Sequence, residues 1–310
     1  MSAVSVTGLS KSYRRVRAVA DVTFDVGHGE VLALLGPNGA GKTTVIEILE
    51  GFRERDGGQA EVLGVDPGNR RTQRWLRDRL GIVLQELAVE PLLTVRQLLA
   101  RNAGFYPAPR PVDEVIELVG LTEKADARMR TLSGGQQRRL DVGLGIVGNP
   151  ELLFLDEPTT GLDPEARRTL WDVIRTLTAA GTTVILTTHY MEEAEALADR
   201  IVVMSRGTVA ASGTPGSIGG RDRHATLISF RLPDGVAASE FPIPVRVPHG
   251  RNAEIRTNDE AAVLRTLMVW AGDRDLMLDG LTVRRSSLEE VYLELTRNEA
   301  GATQQPEVLS

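Results

Sequence analysis

The chain has 310 residues, of which 42% are hydrophobic, and its formal net charge is −6 at pH 7. This length and composition predict a globular protein with one large and one small domain, or with two domains. The acidic balance argues against a dedicated nucleic-acid-binding protein, for which a basic excess is typical. The absence of cysteine excludes disulfides, thiol chemistry and cysteine-based metal sites.

The first part of the chain is predicted to be rich in strands. Apolar residues interrupted by polar ones predict strands around residues 4–9 and 19–26. The fully apolar run Val31–Leu35 is typical of a buried strand in a parallel sheet. A glycine-rich turn follows, and then a helix is expected at 42–50. Another short strand is expected at 82–84.

The middle of the chain alternates between helical and strand patterns. Apolar residues at helical spacing predict two helices between residues 92 and 121, joined by a rigid segment because prolines interrupt the pattern. The three prolines of this joint are Pro107, Pro109 and Pro111. Apolar strands are expected at 152–155, 184–187 and 201–204, the last of them ending the core, and a helix at 164–179. This alternation predicts an α/β domain with a largely parallel sheet.

A second, smaller domain is expected after a break rich in glycine, serine and proline at residues 213–220. Strands at 225–230, 253–257 and 276–283 and helices at 260–271 and 287–296 predict a small α+β domain. We therefore place the first domain at 1–218, the second at 219–297 and a disordered tail at 298–310. No apolar run reaches the length of about 20 residues that spans a bilayer, so a membrane role would be peripheral.

The turn after the strand at 31–35 satisfies the G-x-x-x-x-G-K-[ST] pattern of a phosphate-binding loop, with a strand before it and a helix after it. Backbone N–H groups and the helix N-terminus would cradle phosphates, the lysine would reach the β- and γ-phosphates, and the threonine hydroxyl would bind Mg²⁺. The predicted nucleotide-binding residues of this loop are Gly36, Pro37, Asn38, Gly39, Ala40, Gly41, Lys42, Thr43 and Thr44. The alternative is a glycine-rich turn that matches by chance.

The strand at 152–155 ends in two adjacent carboxylates, Asp156 and Glu157. Acids at the carboxyl end of such a strand lie beside the phosphate site of a parallel sheet. We expect Asp156 to hold Mg²⁺ and Glu157 to orient or deprotonate the attacking water. Read alone, the Asp-Glu-Pro sequence also suits an ordinary turn.

Between these elements lies Leu132-Ser133-Gly134-Gly135-Gln136, followed by Gln137-Arg138-Arg139-Leu140. This segment resembles the signature motif of ABC ATPases, and the loop and carboxylates occur in the same order as in that family. The resemblance implies a P-loop NTPase fold, namely an ABC ATPase cassette with a mostly parallel core sheet, an antiparallel β-subdomain and a helical subdomain at about 86–150. It also implies that the signature residues face the γ-phosphate bound by a second copy, so that two cassettes form a head-to-tail dimer around ATP. On its own, the segment is also a helix N-cap.

Four further residues match the family in order. Gln85 resembles the glutamine that binds Mg²⁺ and senses the membrane partner, and His189 resembles the switch histidine that contacts the γ-phosphate. Asp163, in Gly161-Leu162-Asp163, resembles the loop that crosses the dimer interface. Tyr13 resembles the aromatic residue that stacks on adenine, although an ordinary surface tyrosine is an alternative.

The last segment, residues 287–296, resembles the ending of ABC-2-type exporter subunits, although it also reads as an amphipathic helix. The resemblance implies an ATPase subunit at the cytoplasmic face of the membrane. It would work with a separate permease and without nucleic acid, and export a drug, antibiotic or lipid-like molecule. An importer subunit and a non-transport regulator remain the alternatives. A basic stretch at residues 70–79 is expected to be a solvated face, with anionic lipid as the alternative contact.

Overall fold

The computed structural model describes residues 2–83, 90–218 and 226–284, together with residues 288, 289 and 292. Two compact units make up the chain: Met1–Pro215, called the first unit below, and Gly216–Ser310, called the second unit. The division falls at residue 215, where the sequence predicts 218. Most of the predicted helix at 287–296 and all of the predicted tail at 298–310 lie outside the described residues.

The first unit combines strands and helices along its whole length. Its described strands are β1 (Ser2–Tyr13), β2 (Val16–Gly27), β3 (Val31–Leu35), β4 (Gly57–Val62), β5 (Leu80–Val83), β6 (Leu152–Asp156), β7 (Thr183–Thr188), β8 (Arg200–Ser205) and β9 (Thr208–Gly213). Its described α-helices are α1 (Lys42–Leu49), α2 (Gln73–Arg77), α3 (Val95–Ala103), α4 (Val112–Leu118), α5 (Gly134–Ile146), α6 (Pro164–Ala179) and α7 (Met191–Leu197).

Six strands form the central sheet, in the order β5-β6-β7-β3-β8-β9. All neighbours run parallel except β8 and β9. Strands β3 and β7 are buried along their whole length, which confirms the strands predicted from the apolar runs, because a parallel sheet is covered on both faces. The strand predicted at 201–204 is the last strand of this sheet that has buried residues, which confirms it as the last core strand. Strand β9 extends the sheet as an antiparallel edge strand, and its half-exposed residues carry little apolar signal.

A second sheet is antiparallel, in the order β2-β1-β4. Its apolar side chains alternate with polar ones, and the buried ones share one hydrophobic core with the central sheet and α1. Val4 on β1, Val22 on β2 and Ile48 on α1 all belong to this core. Burial of these three elements together fixes the position of α1, and so of the loop that leads into it.

Helices α3, α4 and α5 lie between β5 and β6 in the chain and pack on one another. Thr94 begins α3 through a capping box: its hydroxyl accepts from the N–H of Gln97, whose side chain accepts from the N–H of Thr94. The three prolines of the predicted joint lie between α3 and α4, and Pro111 is the residue before α4. The two predicted helices and their joint are therefore confirmed.

The basic stretch runs along and beside the short helix α2. Its solvent-exposed arginines are Arg70, Arg71, Arg74 and Arg77. Arg79 differs from them, because its guanidinium carbon lies 4.1 Å from the ring centroid of Trp75 and its Nε lies 3.1 Å from Glu151. Most of the stretch is thus a solvated face, as the sequence predicts.

The described part of the second unit contains a four-stranded antiparallel sheet and an α-helix. These elements are β10 (Thr226–Arg231), β11 (Arg246–His249), β12 (Asn252–Thr257), α8 (Glu260–Gly272) and β13 (Thr282–Arg284), with the strands in the order β11-β12-β10-β13. Phe230, Phe241 and Trp270 stack in its core, with ring centroids 5.3 and 4.4 Å apart along the series. The predicted α+β composition is present. The expected strand start at residue 276 is wrong, because within the predicted strand 276–283 the pairing with β10 begins at Thr282.

Among the described residues, no helix combines the length and the apolar character needed to cross a membrane.

Candidate functional site

The glycine-rich loop connects β3 to α1 and is packed tightly against the rest of the first unit. A Cβ atom at Gly36 would lie 2.5 Å from the carbonyl oxygen of Met204. Gly41 has a φ of 101° in the left-handed region, and a Cβ there would lie 2.4 Å from the carbonyl oxygen of Ala18. Only glycine fits these two positions. The loop backbone can therefore curl so that successive N–H groups are available to an anion.

This loop forms one wall of a cavity of about 610 Å³. The cavity is lined by Val16, Arg17, Ala18, Pro37, Asn38, Gly39, Ala40, Gly41, Lys42, Thr43, Thr44, Asp156, Glu157 and Arg206. The structure thus brings the predicted loop and the two predicted carboxylates together. The first three residues and the last were not predicted from the sequence, because they reach the cavity only through the pairing of strands that are distant in the chain.

Lys42 begins α1, and its side chain is folded over the loop. Its exposed fraction is 6%, and its Nζ donates to the carbonyl oxygens of Gly36 at 2.6 Å and Pro37 at 3.3 Å. Burial lowers the pKa of Lys42, while the nearby charges of Glu157 and Asp156 act in the opposite direction. A largely buried cation held in this place is suited to bind a phosphate oxygen.

Asp156 is the last residue of β6, and Thr187 on the neighbouring strand β7 orients its side chain. The hydroxyl of Thr187 donates a hydrogen bond to Oδ1 of Asp156. The same hydroxyl accepts from the N–H of Glu157 at 3.0 Å, and the carbonyl oxygen of Thr187 accepts from that N–H at 3.2 Å. Thr187 is fully buried. One threonine on the adjacent strand therefore holds both carboxylate residues in place, a role that the sequence pattern did not reveal.

Glu157 lies where β6 ends, and its backbone has a φ of 45° in the left-handed region. Such a conformation is uncommon for a residue other than glycine and is often found at functional sites. Its Oε1 lies 3.2 Å from Nδ1 of His189, and its Oε2 accepts from the hydroxyl of Thr160 at 3.2 Å. The structure thus brings Glu157 and His189 into direct contact.

Tyr13, the predicted adenine-stacking residue, lies close to the loop but does not line the cavity. Its hydroxyl is 3.5 Å from the Oγ1 of Thr44. The guanidinium carbon of Arg53 lies 5.0 Å from the centre of its ring, which is within the range of a cation–π contact. The ring of Tyr13 therefore has a neighbour within the chain, and its role toward adenine stays a prediction. Gln85 lies outside the described residues.

The signature segment forms the start of α5, and Ser133 is its N-cap. The hydroxyl of Ser133 accepts from the N–H of Gln136 at 3.3 Å, and the side chain of Gln136 accepts from the N–H of Ser133 at 3.0 Å. This capping box uses a lone pair of the hydroxyl and leaves its proton available to another acceptor. The predicted helix N-cap is confirmed, and it is compatible with anion binding.

A second cavity, of about 350 Å³, lies beside the signature segment. Its lining includes Ser133, Gly135, Gln136 and Asp163. Asp163 caps α6, where its Oδ1 accepts from the N–H groups of Glu165 at 3.0 Å and Ala166 at 2.8 Å. The two cavities share no lining residue. Within one chain, the phosphate loop and the signature segment therefore line two separate cavities.

Comparison with known proteins identifies the family and the fold. The ABC transporter family model matches residues 19–160, and a model for the C-terminal domain of ABC transporter domain-containing protein-like sequences matches residues 226–287. A similar solved structure is an ATP-binding subunit of an ABC transporter, at 28% identity and a TM-score of 0.62, covering 69% of this chain and 90% of that one. Another is a dimeric ATP-binding cassette bound to ADP and phosphate, at 23% identity and a TM-score of 0.61, covering 68% and 98%.

Curated relatives match along nearly the whole chain. The daunorubicin resistance ATP-binding protein DrrA2 of Streptomyces coeruleorubidus is 37% identical, with 98% of each chain covered. The Nod factor export ATP-binding protein I of Rhizobium sp. (strain N33) is 39% identical, covering 96% of this chain and 98% of the relative. The linearmycin resistance ATP-binding protein LnrL of Bacillus subtilis (strain 168) is 34% identical, covering 93% and 96%. The chain therefore belongs to the ATP-binding proteins of the ABC transporter family and is an ABC-type ATPase.

Proposed function

We propose that this protein is the ATP-hydrolysing subunit of an ABC-2-type exporter and works as a head-to-tail dimer bound to a separate membrane permease. The observation that supports the dimer is that the phosphate loop and the signature segment line separate cavities within one chain. Each ATP would lie between the phosphate loop of one copy and the signature segment of the other. Closure of the dimer on two ATP molecules would move the permease, and hydrolysis would reopen it.

Gly134 supports this composite site. Apart from its two chain neighbours and the nearby backbone of α5 itself, a Cβ atom at Gly134 would meet no heavy atom of the described residues within 4 Å. The packing of this chain therefore does not require a glycine there. Close approach of an outside group to the helix backbone is a sufficient reason for one. In the proposed dimer, that group is the γ-phosphate held by the partner subunit.

Hydrolysis requires a water molecule to attack the γ-phosphorus while the bond to the ADP oxygen breaks. We assign orientation of that water to Glu157, which receives support from His189 and Thr160. Lys42 and the loop N–H groups would bind the β- and γ-phosphate oxygens. These groups act mainly by positioning and by stabilising charge, since phosphoryl transfer needs little covalent chemistry from the protein.

A magnesium ion fits the oxygen donors beside the loop. Thr43 supplies a hydroxyl and Asp156 a carboxylate oriented by Thr187, and both residues line the same cavity. Mg²⁺ commonly takes one or two protein oxygens together with waters and phosphate oxygens. Gln85 would add a further oxygen ligand by the family resemblance. When bound, the ion would neutralise charge that develops on the phosphate oxygens.

Export rests on the relatives, which are named for daunorubicin resistance, linearmycin resistance and Nod factor export. We accordingly propose a drug, antibiotic or lipid-like cargo and a place at the cytoplasmic face of the membrane. An importer subunit and a non-transport regulator are the alternatives. The net charge of −6 disfavours a regulator that acts on nucleic acid.

Co-purification tests the proposal. The chain, expressed together with the genes that flank its own, is expected to carry a polytopic membrane protein through affinity purification in detergent. It is also expected to hydrolyse ATP in that complex. Recovery with nucleic acid and without a membrane protein would contradict the transport role. Recovery with a permease and a substrate-binding protein would favour the importer.

A further inference from the structure

Arg138 lies on α5, five positions after Ser133, and reaches the backbone at the end of β6. Its exposed fraction is 7%. Its Nε donates to the carbonyl oxygen of Pro158 at 2.7 Å, and its Nη2 donates to those of Asp156 at 3.0 Å and Glu157 at 3.2 Å. One guanidinium therefore holds three successive carbonyl groups, which are those of the two site carboxylates and the residue that follows them.

The buried surroundings of Arg138 make its hydrogen bonds necessary for holding the charge inside the protein. Burial lowers the pKa of Arg138, while Asp141, on the next turn of α5, lies 3.8 Å away and acts in the opposite direction. A buried charge is costly unless it is paired and hydrogen-bonded. The planar fork of arginine can serve several acceptors at once, which the single ammonium of lysine cannot reproduce. The contact is therefore specific in geometry as well as in charge.

The segment that Arg138 holds includes the left-handed residue Glu157. The guanidinium of Arg138 bonds the carbonyl group of Glu157 and those of the residues before and after it. Since Arg138 lies on α5, the orientation of the peptide planes around Glu157 depends on the position of that helix. The same helix begins at Ser133. A shift of α5 therefore moves the signature segment and the backbone that carries Glu157 together.

We propose that Arg138 is a positioning residue that couples contact between the signature segment and the partner's ATP to the placement of Glu157 in the same chain. This inference rests on the proposed function of Glu157 and of the composite site. Arg138 does not line the phosphate-loop cavity. Nucleotide binding and KM should therefore remain nearly unchanged when Arg138 is replaced. The kcat should fall, because the backbone around Glu157 loses the guanidinium that positions it.

The test compares the full chain with Arg138→Gln, Arg138→Lys and Glu157→Gln, and Arg110→Gln serves as the matched control. Arg110 lies between α3 and α4, which pack with α5. Its side chain is 17% exposed and pairs with Glu114 at 3.1 Å. We expect Arg138→Gln to lose kcat by at least about tenfold, with KM and ATP affinity by calorimetry within about twofold of the wild-type values. Arg138→Lys should recover part of the loss, and Arg110→Gln should keep wild-type kcat.

Each outcome decides the matter. Wild-type kcat in a folded Arg138→Gln, or a parallel loss of kcat and ATP affinity, would overturn the inference. If Arg138→Gln does not fold, Arg138→Lys takes its place: a lowered kcat at unchanged KM supports the coupling, and an unchanged kcat rejects it. Turnover by Glu157→Gln at the wild-type rate would instead contradict the proposed function. Loss of turnover in Glu157→Gln together with full activity in Arg138→Gln would reject this inference alone.

Discussion

The Nδ1 atom of His189 lies 3.2 Å from the Oε1 atom of Glu157, and the hydroxyl of Thr160 donates to the other carboxylate oxygen at 3.2 Å. The side chain of Glu157 is only 13% exposed. Its orientation is therefore held by the hydrogen bond from Thr160 in the loop before α6, and His189, which follows β7, lies in contact with its other oxygen. A carboxylate held in this way is prepared to orient a water molecule without further rearrangement.

Glu157→Gln is expected to preserve ATP binding and to abolish turnover, because the amide keeps the shape of the side chain but cannot act as a base. ATP should then remain in the composite site, and the dimer should persist. Size-exclusion chromatography with and without ATP measures this directly. A variant that stays monomeric in ATP would count against the two-copy site.

Lys42→Ala is expected to weaken ATP binding by roughly 10- to 100-fold, since a hydrogen bond to a charged group contributes about 1.5–3 kcal/mol. The motivation is the place of Lys42 over the loop, where its Nζ lies 2.6 Å from a loop carbonyl oxygen. Calorimetric titration with ATP measures the loss. Lys124→Ala, at an exposed lysine outside the site, is the matched control and should bind ATP like the wild type. Equal affinities in the two variants would contradict the loop assignment.

Thr187→Val tests whether the hydroxyl that bridges Asp156 and Glu157 matters for catalysis. Valine has the same shape but its side chain neither donates nor accepts, so kcat should fall by about tenfold as the Asp156 carboxylate and the Glu157 backbone lose a partner that positions them. Thr183→Val is the control on the same strand: Thr183 is also buried, and its hydroxyl accepts from the N–H of Gly29 at 3.0 Å, away from the site.

Both threonine variants should lose unfolding free energy, by about 1 kcal/mol for each hydrogen bond removed, which is two bonds at Thr187 and one at Thr183. Only Thr187→Val should lose activity. Steady-state kinetics together with urea unfolding separate the two effects. A common loss of kcat in both variants would show that general loosening of β7 is responsible.

Several elements were predictable because a local signal specifies them. Helix α6 begins and ends at the predicted residues, since an aspartate cap followed by proline marks its start. The phosphate loop and the carboxylates at 156 and 157 follow from the strands that precede them. Strand β9 and strand β11 were missed, because an edge strand needs little apolar alternation and β11 contains Pro248.

The tertiary contacts of the site could not be predicted from local pattern. Thr187 and Arg138 act on the end of β6 from other elements, and nothing near them in the sequence specifies which carbonyl or carboxylate they meet. Ala18 reaches the loop because β2 belongs to the antiparallel sheet packed beside it. Such contacts depend on the packing of the whole unit rather than on any one segment.

Glu50 predicts a pH dependence of stability. It is 5% exposed, and burial raises its pKa to about 8, with Asp156 and Glu47 adding in the same direction. The folded state therefore holds a proton that the unfolded state releases above its ordinary pKa of 4.5. Stability from this group is complete below pH 4.5 and falls as pH rises toward 8, at up to about 1.4 kcal/mol per pH unit.

Glu50→Gln removes this titration while keeping the shape of the protonated acid. We expect the variant and the wild type to be equally stable near pH 4.5 and the variant to be more stable by a growing margin up to pH 8. Urea unfolding at several pH values within this window gives the difference. Parallel stability curves for the two proteins would show that Glu50 does not titrate in this window.

Substitution by alanine is expected to have opposite effects on stability at Gly36 and at Gly134. At Gly36, a Cβ atom would lie 2.5 Å from the carbonyl oxygen of Met204, so Gly36→Ala should cost about 1–3 kcal/mol of stability through overpacking.

At Gly134, the first residue of α5, the added methyl group meets open space, and alanine favours the helix. Gly134→Ala should therefore fold at least as well as the wild type. Its ATPase rate should nevertheless fall by about tenfold or more, because the methyl group would stand where the partner's phosphate must approach the helix backbone. Thermal unfolding and ATP turnover, measured on both variants, distinguish the two cases, and a fully active Gly134→Ala would contradict the composite site.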